Sequence, residues 1–84
     1  MAAVFGYVFV EVEGRHVSEV LEAVSRIKGV KAAHAVTGRY DVILQVAADE
    51  FSQLANSVLV EVRKISGVKS TETALAIPEP RKEL

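Results

Sequence analysis

Residues 20–31 read VLEAVSRIKGVK, and residues 58–69 read VLVEVRKISGVK. Val20, Leu21, Val24, Ile27, Gly29, Val30 and Lys31 return as Val58, Leu59, Val62, Ile65, Gly67, Val68 and Lys69, each displaced by 38 positions (20 to 58, 31 to 69). An echo of this length marks one supersecondary unit used twice. Inside each copy the apolar residues recur at helical period. Val17, Val20, Leu21, Val24 and Ile27 form one stripe, and Phe51, Leu54, Ala55, Val58, Leu59, Val62 and Ile65 form the other. Each helix should stop at its glycine, Gly29 or Gly67, in a left-handed C-terminal cap. Asp49 is placed to cap the start of the second helix. The first has only Gly14 ahead of Arg15, a weaker start.

The segments flanking the two helices read as four strands, over about residues 3–12, 30–36, 40–47 and 68–77. The turn Thr37-Gly38-Arg39 should join the middle two as a hairpin. The resulting order, βαββαβ, is the split βαβ or ferredoxin-like α+β pattern. Strands one and three are the most apolar, which suits central positions. Strands two and four carry Lys31, His34, Lys69, Ser70, Thr71 and Glu72, which suits edges. The expected antiparallel sheet order is therefore 4-1-3-2. Residues 1–77 form the single domain, and 78–84 form a short, charged, proline-broken tail.

Along strand one, Val4, Val8, Val10 and Val12 share one face, while Phe5, Tyr7 and Phe9 share the other. Right-handed crossovers place both helices on one side of the sheet. The opposite side would then present aromatic rings to water. Burying each ring should be worth about 2 kcal/mol. A second copy packing sheet against sheet over Phe5, Tyr7 and Phe9 would give a homodimeric α/β barrel. The other way to cover that face is a loop or the tail lying across it.

Composition narrows the function. The chain has 84 residues, half of them apolar, no cysteine and two histidines, His16 and His34. One domain of this size buries roughly two-thirds or less of its unfolded surface, and an apolar surplus favours self-association. Disulfides and thiolate metal sites are excluded, and a site built on imidazoles is not expected. Ten basic residues against eleven acidic ones give a net charge of −1. Nucleic-acid binding requires a basic footprint, which this chain lacks, so direct nucleic-acid contact is not expected. The longest apolar stretch, residues 2–12, is too short to span a bilayer and has no basic flank. A cytoplasmic protein with no membrane partner and no cofactor is expected.

Val36-Thr37-Gly38-Arg39-Tyr40-Asp41 is the most informative segment for function. Gly38 can adopt positive φ, and Asp41 can accept hydrogen bonds from turn amides, so a tight turn explains the residues on its own. The same atoms could serve a ligand. Exposed N–H groups at a glycine turn suit a carboxylate, and Asp41 suits an ammonium group. A site offering both would fit a free α-amino acid.

The run Gly29-Val30 … Ala35-Val36-Thr37-Gly38-Arg39-Tyr40-Asp41, with Ile65-Ser66-Gly67-Val68 and then Thr71 and Thr73, resembles the effector-binding domain of the Lrp/AsnC family of amino-acid-responsive transcription regulators. The resemblance covers residues 4–77. It implies dimerisation by sheet packing, assembly of dimers into tetramers or octamers, and an amino-acid effector held where dimers meet. By position it assigns ligand contacts to Thr37, Gly38, Arg39, Tyr40 and Asp41. By strand register it adds Thr71 and Thr73, and His34 could line the same pocket. Members of the family begin with a helix-turn-helix. This sequence opens on the first strand, so the resemblance implies the stand-alone form, acting on a small effector or on a full-length regulator of the same family.

Two other classes stay open. One is a purely structural or protein-partner oligomerisation module, which would bind no small molecule. The other is a small dimeric α/β-barrel enzyme, similar in architecture only. An enzyme is not expected. The chain has no Ser/His/Asp set, no paired carboxylates at helical spacing and no phosphate-binding glycine loop, which would leave His34, Asp41 and Tyr40 as the only acid–base candidates. Tyr40 reads more simply as sheet packing, His34 as an edge side chain, and Glu19, Glu22, Glu61, Arg63 and Lys64 as solvated helix faces.

Overall fold

The computed structural model describes residues 4–14 and 16–77. Four strands, β1 (Val4–Val12), β2 (Val30–Ala35), β3 (Val42–Ala48) and β4 (Val68–Leu75), form one antiparallel sheet in the order β2-β3-β1-β4. Read from the other edge, this is the 4-1-3-2 order expected from strand polarity, in a ferredoxin-like α+β fold. Helix α1 (Val17–Ser25) links β1 to β2. The second helix, α2, links β3 to β4 and has three contiguous parts: Phe51–Gln53 and Val60–Arg63 are α-helical, and Leu54–Leu59 between them is π-helical.

Valines and two leucines fill the space between sheet and helices. Val8, Val10 and Val12 of β1 and Val42, Leu44 and Val46 of β3 pack beneath Val20 and Val24 of α1 and Leu54, Val58 and Val62 of α2. Each such side chain contributes about 1.5–3 kcal/mol when taken out of water. Residues paired across an antiparallel sheet share a face, and Val8 pairs with Leu44 and Thr73, Val10 with Val42 and Thr71. The alternate positions, Phe5, Tyr7 and Phe9, lie on the side away from the helices. Phe5 is 49% exposed and Tyr7 41%.

Several local expectations are corrected. Gly29 and Gly67 do have positive φ, 100° and 98°, but they do not cap the helices. Helix α1 ends at Ser25, and each glycine sits third in a four-residue turn, closed by Val30 N–H to Ile27 O (3.1 Å) or Val68 N–H to Ile65 O (3.2 Å). A turn of this kind needs positive φ at that place. Asp49 does not cap α2. Glu50 occupies the N-cap position with no side-chain cap, and the Asp49 N–H instead donates to Gln53 Oε1 at 3.1 Å.

Phe51 leaves the apolar stripe and is 60% exposed. The π-helical turn explains this. An i→i+5 turn holds more residues than the 3.6 of an α-helix, so Leu54, Val58 and Val62, spaced by four, stay in line and buried while Phe51 falls to the flank. The β3 strand begins at Val42 rather than Tyr40, and β4 ends at Leu75, although Ala76 N–H still bonds Phe5 O at 2.9 Å. The expected strand start at Ala3 and the 78–84 tail lie outside the described residues.

Candidate functional site

The β2–β3 connection is wider than a two-residue turn. Val36 N–H donates to Asp41 O at 2.9 Å, so Thr37, Gly38, Arg39 and Tyr40 form a four-residue loop. Gly38 has φ 104°, and a methyl group at that position would meet nothing within 4 Å among the described residues. The backbone at the loop tip is therefore open on the side where Gly38 lacks a side chain.

The C-terminal end of the loop is tied to β1. Asp41 N–H donates to Val10 O at 2.9 Å, and Asp41 Oδ2 accepts the Val12 N–H at 2.8 Å. The carboxylate thus extends the β1–β3 ladder past the last backbone pair, Val10 with Val42. Its expected partners, the amides of its own turn, are not the ones it uses. Among the described residues Oδ1 has no hydrogen-bond partner.

Tyr40 turns the other way, over the open sheet face. Its ring packs on Phe9 with centroids 5.3 Å apart, and its hydroxyl donates to the Glu72 carboxylate on β4. That hydrogen bond is the chief reason the phenol is held above its ordinary pKa. Arg39 places its guanidinium carbon 5.4 Å from the centre of the same ring. Beside this group Ser70 donates to Glu11 Oε1 at 2.6 Å.

The remaining candidates divide by face. His34 pairs with Ile43 on the exposed edge strand β2, on the same side of the sheet as Tyr40. Thr71 and Thr73 pair with the buried residues Val10 and Val8 and so lie on the helix-covered side. Thr71 Oγ1 accepts a hydrogen bond from Arg63 Nε at 3.4 Å. The fold brings Thr37, Gly38, Arg39, Tyr40, Asp41 and His34 to one corner of the sheet, while the two threonines stand behind it. Glu72 and Phe9 are not legible in the sequence as loop partners. Only the strand register, which sets Phe9 opposite Glu72, could have pointed to them.

Among the described residues no group of three or more His, Cys, Asp or Glu side chains is arranged to hold a metal ion, and no helix is long and apolar enough to cross a membrane.

Comparison with known proteins agrees with this architecture. The sequence model described as the Lrp/AsnC ligand binding domain matches residues 6–83. An uncharacterized HTH-type transcriptional regulator of Pyrococcus horikoshii, PH0140, is 31% identical over 72 residues, which are 86% of this chain and 46% of that protein. The chain thus spans about half the length of the curated relatives it matches. The crystal structure of TTHA0845 from Thermus thermophilus superposes with a TM-score of 0.85 at 26% identity, covering 94% of this chain and 99% of that one. The transcriptional regulator NMB0573 of Neisseria meningitidis, solved as a complex with L-Met, has the same fold, with a TM-score of 0.80 at 18% identity over 96% of this chain and 54% of that one. The sequence match over nearly the whole chain and the shared fold lead to one assignment: this chain belongs to the Lrp/AsnC ligand-binding-domain family.

Proposed function

We propose that this domain binds a free amino acid or a similar zwitterion at the Thr37–Asp41 loop and self-associates through its open sheet face, in the service of transcription regulation or amino-acid metabolism in the cytoplasm. The observation that carries the reading is the loop itself. It has an open glycine backbone at its tip, an Asp41 carboxylate oxygen without a hydrogen-bond partner among the described residues at its base, and Arg39 beside it. Amides around Gly38 would take the ligand carboxylate, Asp41 Oδ1 would take the ammonium, and His34 stands at the edge of the same corner. Thr71 and Thr73 face away within one chain and would contribute only indirectly. The L-Met complex of the Neisseria relative supports an amino-acid ligand. Exposed rings at Phe5 and Tyr7 support a homodimer, with tetramers or octamers bringing loops together. Mixed oligomers with a full-length regulator of the family would use the same face.

The test is a thermal-shift screen against the common amino acids. A ligand at about 100 times its dissociation constant adds roughly 2.7 kcal/mol, a shift of several degrees in a domain this small. Asp41→Asn should abolish the hit, because an amide oxygen still accepts from Val12 N–H while the charge for the ammonium is gone. If no amino acid shifts the transition, the domain is an oligomerisation module and not a sensor.

A further inference from the structure

The two halves of the chain close differently around their glycine turns, and the difference opens a second concavity far from the loop. In the first half Glu13 N–H bonds Gly67 O at 2.8 Å, and seven positions on, Val20 meets Gly67. In the second half Ala47 N–H bonds Gly29 O at 2.9 Å, but Val58, which meets Gly29, lies eleven positions on. The four additional residues amount to about 6 Å of helix. They carry the start of α2 past the glycine turn.

The recess at Gly67 is filled by His16, the N-cap residue of α1, whose Cβ would lie 3.2 Å from a methyl placed on Gly67. Beside Gly29 the corresponding recess is open, a groove of about 600 Å³. Its floor is Gly29, Ala47 and Val58. Lys28, just before β2, and Lys31, near its start, also line it, as do Asp49, just after β3, and Gln53 and Ser57 of α2.

Lys31 is aimed by a β-bulge. Val30 pairs with Val46 and Ala32 with Gln45, so Lys31 has no partner in the ladder. Lys69 is skipped in the same way on β4, where Glu11 pairs with Ser70 and Val12 with Val68. The bulge belongs to both copies of the repeated unit, and Lys31, in the first copy, borders the open groove. Among the described residues neither Lys28 nor Lys31 forms an ion pair.

We propose that this groove is a second ligand site, for a small organic oxyanion. Two lysines outweigh the single carboxylate, so the net charge of the walls favours an anion. A carboxylate or phosphate group would sit between Lys28 and Lys31. The ligand's carbon skeleton would lie on Ala47 and Val58, and a hydroxyl or amino group would reach Asp49, Gln53 or Ser57. The volume matches sites that hold metabolite-sized molecules. This inference is independent of the loop reading, because the groove lies at the opposite end of β2 and β3 from Thr37–Asp41.

The test is a titration of the intact chain, labelled at lysine and glycine amides, followed by NMR at constant ionic strength. The probes are succinate for a carboxylate ligand and glycerol 3-phosphate for a phosphate ester. Saturable shifts at Lys28, Gly29 and Lys31 with at least one probe are expected, and the responding probe identifies the head group. Lys28→Gln with Lys31→Gln should weaken binding by about tenfold or more, while Lys69→Gln, the same bulge in the other half, should leave it unchanged. Three results would overturn the proposal: no saturable shift with either probe, equal shifts around Gly67 and Lys69, or shifts confined to Gly38 and its neighbours.

Discussion

Gly29 and Val58 touch so closely that a methyl group on Gly29 would sit 2.5 Å from Val58 Cγ2. The repeat reproduces the relationship with Gly67 and Val20, where the distance would be 3.0 Å. Each half of the chain thus lays its glycine turn on the helix of the other half, which makes the two units mutually dependent.

That contact ranks the glycines. Gly29→Ala should cost about 2–4 kcal/mol, the sum of positive-φ strain and overpacking. Gly67→Ala should cost less, because its clash is milder. Gly38→Ala should cost only the strain, about 1 kcal/mol, because nothing lies near it. Urea denaturation of the three variants measures the order, and a Gly38→Ala variant as damaged as Gly29→Ala would contradict it.

Asp41 serves the fold as well as any ligand. Asp41→Ala strips the acceptor from Val12 N–H and should destabilise the domain by about 1–2 kcal/mol. Asp41→Asn should cost clearly less. Hydrogen exchange at the Val12 amide gives a local readout: faster exchange in the alanine variant, near-native exchange in the asparagine variant. Equal exchange in both would mean the side chain does not hold that amide.

The bond from Tyr40 to Glu72 makes a pH prediction. The phenol is raised above its ordinary value near 10, chiefly because it donates to the Glu72 carboxylate. A group whose folded pKa is raised stabilises the fold at pH below its unfolded pKa, and that contribution disappears as pH climbs through the folded value. The contact should therefore be intact at neutral pH and fail in strong alkali. In a Tyr7→Phe background, phenolate absorbance should titrate above about pH 10, and Glu72→Gln should move the midpoint downward. A midpoint indifferent to Glu72→Gln would remove the contact from consideration.

The aromatic face predicts the effect of charge on assembly. Phe5→Glu or Tyr7→Glu should leave the single chain folded, since both residues are nearly half exposed in it and outside the buried core. In a two-fold dimer each substitution acts twice. Losing about 2 kcal/mol per ring would weaken association by roughly a thousandfold. Light scattering over a range of concentrations should show monomer for either variant and dimer or larger for the unsubstituted chain. An unsubstituted chain that stays monomeric at micromolar concentration would defeat the dimer reading.

The features legible in the sequence are those set by periodicity and repetition. The echo of residues 20–31 in 58–69 leads to the βαββαβ order, and alternation along β1 separates Val8 and Val10 from Phe5 and Tyr7. What stays hidden depends on contacts between distant positions. Nothing near Asp41 announces Val12 as its partner, 29 positions away, and nothing near Tyr40 announces Glu72, 32 positions away. The π-helical turn is invisible because Leu54, Val58 and Val62 fit an α-helical stripe almost as well. Phe51 falls on that stripe in the sequence and outside the core in the structure for the same reason. Thr71 and Thr73 match the loop by register alone, which does not say which side of the sheet a side chain occupies until the pairing with Val10 and Val8 is known.

The bulges at Lys31 and Lys69 have one more consequence. Each interrupts an outermost strand and sets a cationic residue there, which discourages a further strand from zipping alongside. Sideways growth into ribbons or fibres is thereby disfavoured at both margins. The sheet stacking proposed above is left as the open route for self-association, and stacked sheets can close into assemblies of finite size.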